Sequence, residues 1–174
     1  SAEEFLSAAV ANGSHWCPSP GLAGSGFIVE ELVEGRELTC GVLELGQGGP
    51  RALPPVEILP KSSEFFDYQA KYTPGATEEI CPAQLDADMT GAVQELAALV
   101  HKTFHCDPLS RTDIFLTEGG ELVVLEINTL PGMTETSLIP QSAQAAGISL
   151  PQLFEQLVAH AIQREVRRKA VGTL

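Results

Sequence analysis

Basic residues are scarce in this chain of 174 residues, where 10 Lys and Arg stand against 23 Asp and Glu for a formal net charge of −13. Nucleic acids and anionic membranes both draw proteins through positive surface, so neither is expected as a partner. The same field repels a nucleotide, and phosphate binding would have to rest on a few placed cations or on a metal. Those cations are Arg36, Arg51, Lys61, Lys71, Lys102, Arg111 and a carboxy-terminal group of Arg164, Arg167, Arg168 and Lys169. Four cysteines, Cys17, Cys40, Cys81 and Cys106, lie far apart with no Cys-x-x-Cys pair. That spacing argues against a zinc site and against a disulfide framework, and makes reduced thiols in a cytoplasmic protein the expectation. No apolar run has membrane-spanning length and no signal-peptide pattern opens the sequence. Internal repeats and low-complexity segments are lacking as well. With 44% hydrophobic residues, there is room for one domain with a substantial core, or for part of a larger enzyme.

What is present reads as an α+β domain. Residues 2–10 carry a weak helical stripe of Phe5, Leu6, Ala9 and Val10, and 14–26 is a Gly/Pro/Ser-rich loop holding the lone Trp16. Strands are predicted over 27–33, over 37–45 after the Glu34-Gly35 turn, and over 52–58, with Pro54-Pro55 marking an edge or a bulge. A long polar loop is predicted from Leu59 to Cys81. Between Asp86 and His105, Met89, Val93, Leu96, Val100 and Phe104 recur at helical spacing, with Asp86 as N-cap. A short helix over 137–146 is stopped by Gly147. Ser149 then caps a last helix with Pro151 in its first turn and a stripe of Leu150, Leu153, Phe154, Leu157, Val158, Ala161 and Ile162. The basic residues from Arg164 onward suit the carboxy-terminal end of that helix and form a tail.

Between the helices lies the stretch around which the chain is organised, Ser110 to Leu138. Two short strands joined through Gly119-Gly120 read as a hairpin. Strand side chains repeat every second residue, so Glu126 and Asn128 share a face, and Asp113 on the first strand can meet them. Three oxygen-bearing side chains among Ile, Phe, Leu and Val are costly to bury uncompensated, although two acids on an exposed hairpin are more commonly just solvated. A hard divalent cation is the simplest compensator, and Mg²⁺ favours carboxylate plus phosphate oxygen. Arg111 points the same way as Asp113, and a guanidinium beside a metal cluster has the form of a phosphoryl-transfer centre. The tail, Asn128-Thr129-Leu130-Pro131-Gly132-Met133-Thr134, makes a fixed loop whose amides could hold a carboxylate. His15, His101, His105 and His160 show no triad pattern and read as structural or surface residues.

The motifs Ser110-Arg111-Thr112-Asp113 and Leu125-Glu126-Ile127-Asn128-Thr129-Leu130-Pro131-Gly132-Met133-Thr134, with Ser137-Leu138, Asp67 to Tyr72 and Glu30 to Thr39, resemble the D-alanine:D-alanine ligases of the ATP-grasp superfamily. The resemblance runs from about Phe27 to Ile162. It implies the carboxy-terminal ATP-grasp lobe, an antiparallel sheet with flanking helices over 27–163, preceded by a helix and loop over 1–26 from the end of the central lobe and followed by a basic tail over 164–174. It implies ATP and two Mg²⁺ ions, with Mn²⁺ able to substitute, held by Asp113, Glu126 and Asn128. Arg111 would stabilise the acyl phosphate and oxyanion, with Tyr72 and Ser137 as further catalytic residues. Glu30 and Val33 would meet the adenine, Phe65 would cover it, Glu37 would bind the ribose and Lys71 a phosphate. Gly132, Ser137 and Leu138 would hold the second D-alanine. The family's substrate domain and its Ser/Gly-rich phosphate loop are not recognisable in this sequence. The expectation is therefore a portion of a ligase for peptidoglycan precursors that binds ATP weakly and is inactive alone, whose full-length enzyme could be a homodimer. Alternatives are another carboxylate–amine ligase, such as a D-alanine:D-lactate enzyme, or a non-catalytic nucleotide-binding module.

Overall fold

In the computed structural model, which describes residues 32–46, 48–60 and 77–171, strand β1 (Arg36–Leu43) runs through the middle of an antiparallel sheet. Its neighbours are β3 (Val56–Pro60) on one side and β5 (Leu109–Leu116) on the other. β4 (Thr77–Ile80) lies outside β3, β6 (Leu122–Asn128) lies outside β5, and the short β2 (Arg51–Ala52) pairs with the end of β1. Three helices complete the described residues: α1 (Ala87–Thr103), α2 (Leu138–Ala145) and α3 (Leu150–Val171).

Alternation along β1 divides the sheet into two unlike faces. Leu38, Cys40 and Val42, with Ile114 and Leu116 of β5, pack against Val93 and Ala97 of α1. Asp86 starts that helix as expected, its carboxylate accepting the Met89 N–H at 2.7 Å. A second apolar cluster joins Leu43 and Leu53 to Ile139 and Ala143 of α2 and Leu153 of α3. Two glycines allow these close approaches. A Cβ on Gly35 would lie 2.4 Å from the Leu116 carbonyl oxygen, and one on Gly41 would lie 2.5 Å from Ile139 Cδ1. Gly41 therefore brings α2 down onto β1.

Three departures from the sequence reading have physical causes. The strand expected over 52–58 is broken into β2 and β3, because neither Pro54 nor Pro55 has an N–H for the ladder. The register slips there: Val42 and Thr39 are three positions apart on β1, whereas their partners Ala52 and Val56 are four positions apart. The end of the expected 59–81 loop is strand, with Thr77–Ile80 pairing to Glu57–Pro60. On α3, Leu153 is buried, yet Phe154, Val158 and Ile162 are exposed, so half of the expected stripe faces solvent. The helix also continues through the basic residues to Val171 instead of ending in a tail at Arg164. The first predicted strand lies mostly outside the described residues, and Leu32 and Val33 at its end belong to no strand.

Thr112 is fully buried, and its Oγ1 is the one buried side-chain polar atom among the described residues without a hydrogen-bond partner. An orphaned hydroxyl costs about 1–3 kcal/mol, while an apolar group of the same shape costs nothing comparable. Thr112→Val is expected to raise the unfolding free energy by about 1 kcal/mol in urea titration. A variant less stable than the parent would show that the hydroxyl does bond in solution.

Candidate functional site

The register of β5 builds the site. Arg111 stands opposite Gly41 of β1 and Asn128 of β6, while Asp113 stands opposite Thr39 and Glu126. A bulge between Asp113 and Ile114 then shifts the pairing so that Ile114 meets Val124. Two rows thus cross three strands, Gly41–Arg111–Asn128 and Thr39–Asp113–Glu126, on the face turned away from α1. Arg111 donates from Nε to Asp113 Oδ1 at 3.0 Å and from Nη2 to Oδ2 at 2.9 Å. Thr39 Oγ1 donates to the same Oδ1 at 2.5 Å. Asp113 is only 8% exposed, whereas Glu126 across the pair is exposed.

Burial pushes the Arg111 guanidinium down, but the hydrogen bond to Asp113 and the charges of Asp113, Glu126 and Glu37 together lift it above its ordinary value. Glu37, two residues before Thr39 on β1, therefore acts on the same electrostatic centre. Val33 lies beyond the start of β1, half-buried. The predicted nucleotide residues Glu30, Phe65, Lys71 and the predicted catalytic Tyr72 lie outside the described residues.

From Asn128 the chain enters the loop leading to α2. Asn128 Oδ1 accepts the Leu130 N–H at 3.0 Å, fixing the turn, and Pro131 is buried. A Cβ on Gly132 would come within 2.8 Å of Ser137 Oγ, so only glycine lets the loop fold against that hydroxyl. Ser137 Oγ accepts the Thr134 N–H at 3.1 Å and bonds Thr134 Oγ1 at 2.8 Å. It ties the loop together and does not cap α2. The first bond of the helix is Gln141 N–H to Ser137 O. The N–H groups of Leu138 and Ile139 precede it and open toward whatever lies at the helix start. Because Ile139 packs over Gly41, and Gly41 is paired with Arg111, this start belongs to the same neighbourhood as the guanidinium.

Asp113, Glu126 and Asn128 offer two carboxylates and an amide, and among the described residues no three His, Cys, Asp or Glu side chains form a metal cluster. That donor set is too sparse for a protein cage. It fits Mg²⁺, which takes one or two carboxylates and completes its shell with phosphate oxygens and water. Among the described residues, thiol chemistry is not offered. Burial pushes the Cys40 thiol up to about 12, and burial raises Cys81 and Cys106 also.

Sequence reasoning missed Thr39, although its place two residues after Glu37 put it on the site face. It also missed a line from Glu44 Oε2 through His101, at 3.3 Å, to Ser110 Oγ at 2.7 Å. His101 and Ser110 are fully buried, so this hydroxyl reaches no ligand; it anchors β5 beside Arg111. His160 meets Asp107 at 2.5 Å and holds α3 to the turn before β5.

A family profile for the D-ala D-ala ligase C-terminus matches residues 24–159. The D-alanine–D-alanine ligase of Oleidesulfovibrio alaskensis is 48% identical over 147 residues, covering 82% of this chain and 46% of that protein. The solved structure of the D-alanine–D-alanine ligase from Coxiella burnetii superposes with a TM-score of 0.68 at 31% identity, over 82% of this chain and 36% of the other. That of the Bacillus anthracis D-alanine–D-alanine ligase complexed with ATP gives a TM-score of 0.63 at 33% identity, over 81% and 43%. The chain spans a little under half the length of the curated relatives it matches.

Proposed function

The chain belongs to the D-alanine–D-alanine ligase carboxy-terminal family, and from that premise we propose that it supplies the nucleotide- and metal-binding half of an ATP-dependent D-alanine:D-alanine ligase. Such an enzyme phosphorylates the carboxylate of one D-alanine, and the amine of a second then displaces phosphate to give the dipeptide used in peptidoglycan precursors. The observation that carries the reading is the pair of rows, which gathers Arg111, Asp113, Glu126 and Asn128 on one face of the sheet.

Asp113, Glu126 and Asn128 would hold Mg²⁺, which when bound offsets negative charge on the terminal phosphates of ATP. Arg111, kept charged by three neighbouring carboxylates, orients the carboxylate being phosphorylated and stabilises the oxyanion formed when the amine attacks. Glu37, on the same face, is assigned to the ribose, and Val33 and Glu30 to the adenine. Phe65 would cover the ring, Lys71 would meet a phosphate and Tyr72 the substrate. At the other end, Gly132, Ser137 and the Leu138 N–H hold the second D-alanine's carboxylate. The start of α2 suits an anion because first-turn N–H groups and the helix dipole both favour negative charge. Cytoplasm is the proposed location; no described helix is long and apolar enough to cross a membrane.

The test is a chimera in which this chain replaces the matching carboxy-terminal part of the Oleidesulfovibrio alaskensis ligase. Phosphate release from ATP that depends on D-alanine is the expected result. A folded chimera that releases none, beside an active parent ligase, would overturn the proposal.

A further inference from the structure

We propose that Thr39 is a positioning residue for Asp113, fixing which oxygen of that carboxylate meets the metal; the inference rests on the metal reading of the site given above. Thr39 lies directly opposite Asp113 in the β1–β5 pairing and is 1% exposed. Its hydroxyl has one proton to give and two acceptors in reach, Asp113 Oδ1 at 2.5 Å and the Thr112 carbonyl at 3.4 Å. The proton goes to the nearer and charged acceptor.

The bonds to the carboxylate are unequal. Oδ1 accepts from both Thr39 and Arg111 Nε, while Oδ2 accepts from Arg111 Nη2 alone. Each carboxylate oxygen has two lone-pair sites, so Oδ1 is filled and Oδ2 keeps one. Oδ2 is therefore the oxygen assigned to the cation. Arg111 cannot fix this arrangement by itself, because the same guanidinium is assigned to the reacting carboxylate and must exchange partners. Thr39 has no such second duty. Its side chain is β-branched and stiff about χ1, and no solvent reaches it to take over the bond. Once Arg111 turns to substrate, the hydroxyl is the donor that still keeps Asp113 from rotating.

Partners that orient a ligand from behind are worth about 10–100-fold in metal affinity. The test measures Mn²⁺ binding to the chain by the loss of the free-ion electron paramagnetic resonance signal, in the parent and in Thr39→Val, Thr39→Ala, Thr39→Ser and Asp113→Asn. Both variants lacking the hydroxyl are expected to bind Mn²⁺ roughly tenfold more weakly; having two of them covers the case in which one does not fold. Thr39→Ser keeps the hydroxyl and loses the buried methyl. It should melt at a lower temperature yet bind Mn²⁺ like the parent, a split that a purely structural role would not produce. Asp113→Asn should lose binding. If the variants without hydroxyl bind like the parent while Asp113→Asn does not, Thr39 has no positioning role and the metal site stands. Thr39→Ser binding as weakly as Thr39→Val would also overturn the proposal. Asp113→Asn binding like the parent would remove the metal reading itself, and the role of Thr39 with it.

Discussion

Replacing Arg111 with methionine is expected to destabilise the chain by about 3 kcal/mol at neutral pH, toward the low end of the range for breaking a buried ion pair. The loss does not come mainly from the missing attraction. Both side chains are largely enclosed, at 16% exposure for Arg111 and 11% for Asp113, so removing the guanidinium leaves a carboxylate in a poorly hydrated place with only the Thr39 hydroxyl to compensate it. Methionine fills similar volume, which keeps cavity formation out of the result. In the parent, Arg111 is raised above its ordinary value. A raised cationic group contributes stability that is complete below its unfolded pKa and is lost only as pH climbs through the higher folded value, so the contribution is undiminished at neutral pH. In the variant, the stranded carboxylate carries the loss, and removing its charge as well should recover part of it. Urea unfolding at pH 7 should find the double variant Arg111→Met with Asp113→Asn more stable than Arg111→Met alone. A double variant no more stable than the single one would mean that the stranded carboxylate carries no penalty. Arg111→Lys should fall between the parent and Arg111→Met, because an ammonium keeps the charge but cannot reproduce the two-pronged contact with Oδ1 and Oδ2.

The features legible in the sequence are those with a local cause. The turn at Gly120 has φ of +82°, the Asp86 cap bonds within its own first turn, and the side chains of Arg111, Asp113, Glu126 and Asn128 follow from a period of two on paired strands. The features that escaped are set by what a segment meets. Thr77–Ile80, Thr-Glu-Glu-Ile, has no alternation of apolar residues to announce a strand, and it becomes one because β3 offers a free edge. The stripe on α3 has the right spacing, but spacing does not reveal which apolar residues find a neighbour. Leu153 reaches the cluster with Leu43 and Ile139, while Phe154, one position on, does not. Thr39 escaped for a related reason. A threonine in a strand is ordinary by propensity, and its bond to Asp113 exists only because the register places residues 74 apart in sequence against one another. Position of the acceptor loop is likewise tertiary: Gly41 reads as a weak point in a strand until Ile139 is seen to occupy the space of its missing Cβ.

Glu126→Gln separates function from folding more cleanly than any change at Asp113. Glu126 is exposed and faces Asp113 across the β5–β6 pair, so exchanging one carboxylate oxygen for an amide should alter stability by no more than about 0.5 kcal/mol. Burial lowers Arg111, and the charge of Glu126 helps the larger effect of Asp113 to raise it; the guanidinium stays protonated without Glu126. A metal shared with nucleotide phosphates feels the change directly, because one of two protein carboxylates is lost from a shell in which the rest is amide, water and phosphate. Mg²⁺ with ADP at ten times its dissociation constant should stabilise the parent chain by about 1.4 kcal/mol, seen as a melting point higher by roughly 3–6 °C. The variant should melt at the parent's temperature without ligand and show no rise with it. In the active chimera the same substitution should lower kcat by about a hundredfold, the equivalent of about 3 kcal/mol of transition-state charge stabilisation. A variant that keeps the full Mg²⁺–ADP shift would show that the nucleotide is held without Glu126. The two rows of β1, β5 and β6 would then be a salt-bridged surface and not a phosphoryl-transfer centre.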